Sequence, residues 1–232
     1  AMVRTFKEDY QVHVIHAWGM TELSPLGTVC AFKGKHMTQT AEERQAVQAK
    51  QGRAVFGVDM KIVGPNGIEL PCDGVQTGDL LVRGHWVVSR YFKEEGEGHL
   101  QDGWFPTGDV ARIDADGYMQ ITDRTKDVIK SGGEWISSID LENIAMSHPA
   151  VLQSAVIAIP HEKWNERPLL IVVKKPGSEV SKEEILKFYE GSISKMHIPD
   201  DVEFVDAMPI GATGKIQKST LREQFKGVQF AK

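Results

Sequence analysis

The chain carries two different patterns of apolar residues, which change near residue 126. Before that position, apolar residues form short runs, partly alternating over 55–62 and continuous over 80–82, separated by turn sequences such as Gly64-Pro65-Asn66-Gly67. Such short strands with turn residues between them predict a small antiparallel sheet or a distorted barrel. After residue 126, apolar strand-like runs alternate with helical periodicity, which predicts a compact α+β domain.

Individual elements follow from local signals. A strand is predicted over 11–16, and a helix over 37–51 from a capping box of Thr40 with Glu43 and a stop at Gly52. A second capping box, Ser181 with Glu184, predicts the start of a helix over 182–194. The other predicted elements are helices at 138–147 and 217–226, and strands at 155–159, 169–173 and 202–205.

Composition narrows the possible classes of protein. The 232 residues suffice for one large domain or two small ones. A net charge of −5, from 27 basic and 32 acidic residues, argues against a general nucleic-acid binder. Cys30 and Cys72 are expected to be free thiols in a reducing cytoplasm, and no run approaches the roughly 20 apolar residues of a membrane span. The chain starts abruptly at Ala1-Met2, and its first predicted element is the strand over 11–16; a domain that begins on a strand with no lead-in suggests a truncated polypeptide, a cleavage product or an expression scar.

The first motif that could bind a ligand is Trp18-Gly19-Met20-Thr21-Glu22, which follows the predicted strand. Gly19 permits a sharp turn, an indole can stack on a purine, a threonine hydroxyl can bind phosphate, and a carboxylate can hold Mg²⁺. The alternative is a strand-end turn with a buried tryptophan and an exposed glutamate.

The sequence Thr107-Gly108-Asp109 forms the second motif. A carboxylate after a turn glycine can accept the hydroxyl protons of a ribose, although an aspartate that stabilises a tight turn is the more common case. Thr77-Gly78-Asp79 has the same three letters and is predicted to be an ordinary turn before a strand. The motif at 107–109 differs in its surroundings, since Trp104-Phe105-Pro106 precedes it and Arg124 follows fifteen residues later.

Three further motifs lie beyond residue 122. Asp123-Arg124-Thr125-Lys126-Asp127 is either a functional turn or a solvated charged turn. Lys130-Ser131-Gly132-Gly133-Glu134-Trp135 allows close backbone approach to a ligand before a helix, or is a plain helix entry. Lys215 follows Gly214 on a loop from which a lysine can reach a phosphate, the alternative being a solvated loop lysine.

In this order and spacing, from about residue 13 to residue 222, the motifs resemble the adenylate-forming enzymes, which include acyl-CoA synthetases, firefly luciferases and the adenylation domains of peptide synthetases. The continuation Leu23-Ser24-Pro25-Leu26-Gly27 is similar to medium-chain fatty acyl-CoA and 3-methylmercaptopropionyl-CoA ligases. The resemblance implies an α/β and α+β multidomain fold. Residues 1–125 would be the C-terminal part of the large nucleotide-binding domain with its β-barrel subdomain, and residues 126–232 a mobile C-terminal α+β domain.

The resemblance also implies roles for particular residues. Lys215 would be the catalytic lysine of adenylation, Glu22 the Mg²⁺ ligand and Lys126 the hinge. The remaining implied roles are binding of ATP and AMP by Trp18, Gly19, Thr21, Asp109, Arg124 and Lys130, and binding of CoA by Gly132, Gly133 and Trp135.

The implied reaction joins a fatty or other carboxylic acid to CoA with ATP, through an acyl-adenylate, releasing AMP and pyrophosphate. The Ser/Thr/Gly-rich loop with which the family holds the ATP phosphates does not occur in this sequence. We therefore expect an N-terminal portion of the same enzyme as a partner. We expect the isolated chain to be inactive, and a homodimer is an open alternative for its assembly. The alternatives are adenylation with a carrier protein or oxygen as acceptor, and a non-catalytic nucleotide- or CoA-binding fragment.

Overall fold

The computed structural model of the chain describes residues 2–94, 99–212 and 214–228. It separates into two compact units, Ala1–Thr122 and Asp123–Lys232. No helix among the described residues is both long and apolar enough to cross a bilayer.

Two antiparallel sheets organise the first unit. One is a three-stranded sheet in the order β1-β2-β3, whose strands are Ala17–Gly19, Leu26–Val29 and Arg53–Ala54. The other has the order β4-β5-β6-β7, with strands Val58–Val63, Gly78–Gly84, Phe105–Ile113 and Met119–Arg124. The helices are α1 (Met2–Tyr10) and α2 (Ala41–Gln48), with 3₁₀ turns at Thr21–Leu23 and Gly34–Thr38. The apolar core includes Leu23, Ile62, Leu80, Val82, Ala111 and Met119.

The second unit is built on one mixed sheet. Its order is β10-β11-β8-β9 with β12 parallel to β11, and its strands are β8 (Ile129–Ser131), β9 (Glu134–Ile136), β10 (Val151–His161), β11 (Asn165–Lys174) and β12 (Asp201–Phe204). Its helices are α3 (Ser138–Met146), α4 (Lys182–Phe188) and α5 (Lys218–Gln224), with a 3₁₀ turn at Lys195–His197.

Strand β11 is buried on both faces, which explains its continuous apolar sequence. Leu170 and Val172 pack in one core with residues of α3 and α4, whereas Leu169 and Ile171 pack in the other with Leu221 of α5. Successive side chains of a strand point to opposite faces, so a run without polar residues requires cover on both sides.

Most of the predicted elements are present, and the differences have local causes. Both capping boxes form: the backbone N–H of Glu43 donates to Thr40 Oγ1 at 3.2 Å, and Ser181 and Glu184 are paired in the same way. The helix predicted over 37–51 is shorter, because Thr40 begins a new helix, α2, after the 3₁₀ turn.

Two predictions were wrong. Residues 11–16 do not form a strand; α1 precedes them and β1 begins at Ala17. The helix predicted to reach residue 194 ends at Phe188, and Gly191 then adopts a φ of +80°, which is incompatible with a continuing α-helix.

Candidate functional site

The first unit brings two distant motifs together. Trp18 on β1 donates its indole N–H to Asp109 Oδ2 at 3.2 Å, although the residues are 91 positions apart. The indole also lies against Gly27, where an added Cβ would approach Trp18 Cζ3 to 2.5 Å. The contact places a half-buried aromatic ring beside a buried carboxylate.

Asp109 owes its position to an irregularity in β6. Opposite β5, the register shifts between Asp79 and Leu81, and Gly108 adopts a φ of +72°. Such a bulge turns a side chain in a new direction. The backbone N–H of Asp109 donates to Thr107 Oγ1 at 3.1 Å, and that hydroxyl donates to the Leu80 carbonyl.

The second Thr-Gly-Asp sequence behaves differently. Gly78 and Asp79 begin β5 and pair regularly with Ala111 and Val110, so the predicted turn there is instead the start of a strand. At Gly78 an added Cβ would lie 2.5 Å from the Val63 carbonyl oxygen, so this glycine serves close strand approach. The identical triplets therefore have different structural roles.

The turn after Trp18 presents Thr21 and Glu22 in a single 3₁₀ turn. Gly19 is required there, because an added Cβ would lie 2.0 Å from the Pro25 carbonyl oxygen. Thr21 is exposed and Glu22 half-buried. Glu22 Oε1 accepts a 2.8 Å hydrogen bond from the Tyr91 hydroxyl, and this bond raises the pKa of the phenol because it favours the protonated form. Tyr91 is a site residue that the sequence did not indicate.

In the second unit, Arg124 and Lys126 lie at the end of β7 and just after it. Both side chains are exposed. The backbone carbonyl of Lys126 accepts a 3.0 Å hydrogen bond from Arg222 Nη2 of α5, and the same guanidinium pairs with Asp127. The segment that contains the predicted hinge is thus attached to α5.

The glycine loop is the tip of the β8–β9 hairpin. Lys130 and Trp135 pair across it, with the lysine Nζ 5.8 Å from the centroid of the indole ring. Gly132 and Gly133 both have positive φ, at +59° and +90°, and both are exposed. The hairpin therefore presents main chain at its tip, as a site that admits a thin ligand requires.

Lys215 lies on a short loop that closes on itself. The Gly211 N–H donates to the Lys215 carbonyl at 2.8 Å, and the Gln217 N–H donates to the Pro209 carbonyl at 2.8 Å. The Lys215 side chain is exposed. Thr213, within this loop, lies outside the described residues.

A buried ionic cluster lies at the base of that loop. Lys218 Nζ is 2.6 Å from both Glu142 Oε1 and Ser138 Oγ, and the Ser138 hydroxyl donates to Asp123 at 3.0 Å. Burial raises the pKa of Asp123 and of Glu142, while the Lys218 ammonium opposes the rise. We refer to Asp123, Ser138, Glu142 and Lys218 as the Lys218 cluster. The sequence analysis missed it, because its members are up to 95 residues apart.

Among the described residues, no group of three or more His, Cys, Asp or Glu side chains could hold a metal ion by itself. Glu22 is a single half-buried carboxylate of the 3₁₀ turn, and its role as a Mg²⁺ ligand stays a prediction.

Comparisons with known proteins identify the family of this chain. The profile of the AMP-binding enzyme family matches residues 1–92, and that of the AMP-binding enzyme C-terminal domain matches residues 140–215. The chain is 55% identical over 226 residues to 3-methylmercaptopropionyl-CoA ligase of Ruegeria lacuscaerulensis, and 50% identical over 225 residues to medium-chain-fatty-acid–CoA ligase of Ectopseudomonas oleovorans. Each match covers 97% of this chain but only 42% and 41% of the relative, so the chain spans about two fifths of their length.

Solved structures give the same result. ATP-bound MatB from Rhodopseudomonas palustris aligns with a TM-score of 0.81 and 30% identity, over 97% of this chain and 43% of that one. The o-succinylbenzoate CoA synthetase MenE of Bacillus subtilis, in complex with its acyl-adenylate intermediate, aligns with a TM-score of 0.79 and 26% identity, over 100% of this chain and 44% of that one. The chain therefore belongs to the AMP-binding, or adenylate-forming, enzyme family.

Proposed function

We propose that the complete polypeptide containing these residues is an ATP-dependent carboxylic acid:CoA ligase. In the first step a carboxylate oxygen bonds to the α-phosphorus of ATP and pyrophosphate leaves. In the second, the sulfur of CoA bonds to the acyl carbon, AMP leaves, and the thiol proton is released to water. The observation that carries the proposal is the Trp18–Asp109 hydrogen bond, which joins the two nucleotide motifs.

The nucleotide would bind first to the surface that Trp18 and Asp109 share. The indole offers a flat apolar face to adenine, and Asp109 offers a carboxylate to the ribose hydroxyls. Exposed Thr21 would contact phosphate, and Arg124 and Lys130 would supply positive charge to the ribose and the phosphate.

Mg²⁺ would be held by Glu22 together with ATP phosphate oxygens. The half-buried carboxylate, already oriented by Tyr91, fits a hard cation that takes oxygen ligands. The ion would neutralise phosphate charge when bound.

Lys215 would serve the first step. Its ammonium, on a loop rich in glycine, can approach both the substrate carboxylate and the α-phosphate. Charge that builds up on these oxygens in the transition state would be stabilised by a cation in a fixed position.

The Gly132–Gly133 tip would serve the second step, by lining the path of the thiol-bearing arm of CoA with main chain and the face of Trp135. Because Lys215 and this tip serve different steps, the second unit would turn about Lys126 after the first step and before the second. A hinge needs only a few residues that absorb a change in φ and ψ.

The substrate class is proposed from the relatives. Two of them, at 50–55% identity, are named for a medium-chain fatty acid and for 3-methylmercaptopropionate. Both are unbranched acids with flexible, weakly polar chains, so we propose an aliphatic acid of short to medium length as the substrate.

The test is formation of acyl-CoA by the complete polypeptide, with ATP, CoA and a panel of straight-chain acids that includes 3-methylmercaptopropionate. Free acyl-CoA, AMP and pyrophosphate in equal amounts would support the proposal. Acyl-adenylate without CoA transfer would favour another acceptor. The absence of ATP–pyrophosphate exchange with every acid would favour a non-catalytic binding protein. The 232-residue chain, assayed alone in parallel, is expected to be inactive.

A further inference from the structure

The guanidinium of Arg167 is buried, and its contacts converge on the base of the glycine hairpin. Arg167, on β11, is 7% exposed. Nη1 donates to Ser131 Oγ at 3.2 Å and to the Met196 carbonyl at 2.6 Å. Nη2 donates to the Ile198 carbonyl at 3.1 Å, and both Nη2 and Nε donate to Asp200 Oδ1, at 2.6 and 2.9 Å. One side chain thus connects β8 to the segment 196–200.

The chain around Arg167 also contacts the hairpin directly. The Gly132 N–H donates to the Trp164 carbonyl at 2.9 Å, and the Lys130 N–H donates to Glu166 Oε2 at 2.7 Å. An added Cβ at Gly132 would lie 2.8 Å from the Trp164 ring and 3.3 Å from Met196 Cε. The hairpin is therefore held between residues 164–167 and Met196, with Arg167 joining the two supports.

A guanidinium is suited to this position, and an ammonium is not. Its planar fork donates in several fixed directions at once, while Asp200 balances its charge. Lysine would retain the charge but could not reach Ser131, Met196 and Asp200 with the same geometry. The hydrogen bonds of Arg167 that the structure describes do not include the loop 209–217, so the support is specific to the hairpin.

We propose that Arg167 is a positioning residue for the thioester-forming step. It holds Ser131, and through it the Gly132–Gly133 tip, in the conformation that receives the thiol-bearing arm of CoA. The adenylation step does not depend on it. This inference rests on the proposed ligase function.

The test measures the two steps separately in the complete polypeptide. Adenylation is followed by ATP–pyrophosphate exchange, and thioester formation by the reaction of preformed acyl-adenylate with CoA. For Arg167→Lys we expect thioester formation to fall by on the order of 10²-fold, since small displacements of a positioned group have effects of that size. Pyrophosphate exchange should stay within about twofold, because it does not use the Gly132–Gly133 tip.

Lys182→Met is the matched control. It also removes a cation that is ion-paired in the second unit, to Asp201 and Glu203, but its described contacts are with neither Arg167 nor the hairpin. Both steps should stay within about twofold in this variant. Ser131→Ala removes one hydrogen bond to Arg167 without removing the charge, and should show the same split between the steps at a smaller size.

The outcomes separate the two proposals. If the wild type performs neither step with any acid, the ligase function fails. If the wild type performs both steps and Arg167→Lys lowers them equally, or lowers neither, the positioning role is wrong. If circular dichroism shows that Arg167→Lys is unfolded, Ser131→Ala decides, and an unchanged rate of thioester formation in that variant overturns the role.

Discussion

Two glycine-containing loops of the second unit are supported in opposite ways. The Gly132 hairpin is held at Gly132, where an added Cβ would meet the Trp164 ring at 2.8 Å, whereas at Gly133 it would meet no described atom within 4 Å. The Lys215 loop is open at its tip, where an added Cβ at Gly214 would meet no described atom within 4 Å. Its base is fixed through Lys218, and main-chain hydrogen bonds close the loop on itself.

The difference follows from what each loop is proposed to present. A main-chain surface works only in one conformation, so it needs packing contacts that hold the backbone. A lysine presents one charge at the end of a flexible four-carbon stem, so a fixed base is enough. The packing beside each of these loops therefore indicates whether its backbone or its side chain carries the proposed function.

The largest expected effect comes from removing the base of the Lys215 loop. Lys218→Met leaves the buried Asp123 carboxylate and the half-buried Glu142 carboxylate without their cation, and breaking a buried pair costs about 3–5 kcal/mol of unfolding free energy. Urea unfolding of the chain would measure it. Lys182→Met breaks a more exposed pair and should cost about 0–1 kcal/mol. Equal losses in the two variants would contradict the description of the Lys218 cluster as a buried support.

Removing the Lys215 charge from the tip of its loop should lower the rate of adenylation without lowering the unfolding free energy. Lys215→Ala is expected to lower adenylation by at least ~10²-fold, the usual cost of losing one donor to a transition-state oxyanion. Thioester formation from preformed acyl-adenylate should be unchanged. Lys226→Ala, another exposed lysine of the unit, is the control. An unchanged rate of pyrophosphate exchange in Lys215→Ala would refute the catalytic assignment.

Matched glycine substitutions compare the two loops directly. Gly132→Ala and Gly214→Ala both place a side chain at positive φ, +59° and +77°, which costs each about 1–2 kcal/mol. Only Gly132→Ala also forces a methyl group into the Trp164 ring, so it should destabilise the chain by about 1–3 kcal/mol more. Denaturant titration of both variants measures the difference, and equal losses would mean that the hairpin is not held by Trp164.

The smallest effect is a pH dependence at the Lys218 cluster. Burial raises the pKa of Asp123, so between the ordinary aspartate pKa and the raised value the folded chain binds more protons than the unfolded chain. The contribution of Asp123 to stability therefore falls as pH rises through that window. The difference in unfolding free energy between wild type and Asp123→Asn should shrink from pH 4 to pH 7.

Asp114, in the first unit, has a lowered pKa, whereas the pKa of Asp123 is raised. Burial raises its pKa, but hydrogen bonds from Lys50 and from the Tyr118 backbone outweigh burial and lower it overall. For Asp114→Asn the difference from wild type should instead grow as pH rises, in the window between the lowered value and the ordinary aspartate pKa, below the window of Asp123. If the difference in unfolding free energy from wild type changed with pH in the same direction for both variants, burial would not be the cause of the raised pKa of Asp123.

Local signals predicted local structure well. The capping boxes at Thr40 and Ser181 formed because each needs only contacts between residues three apart. The apolar runs of β10 and β11 are strands buried on both faces, as their composition indicated. The strand predicted over residues 11–16 was wrong, because a short alternation of apolar and polar residues does not form a strand without a neighbouring strand to pair with.

The sequence by itself determined the two kinds of unit, most helix and strand positions, and the motifs that revealed the family. Only the tertiary structure decided that Trp18 contacts Asp109, that Tyr91 orients Glu22, and that one Thr-Gly-Asp lies in a bulge while its twin begins a strand. The supports of the two loops, Arg167 and Lys218, also emerged only from the fold. The physical reason is range. Caps and periodicity act over a few residues, whereas these contacts join residues from 29 to 91 positions apart, and only long-range packing selects them.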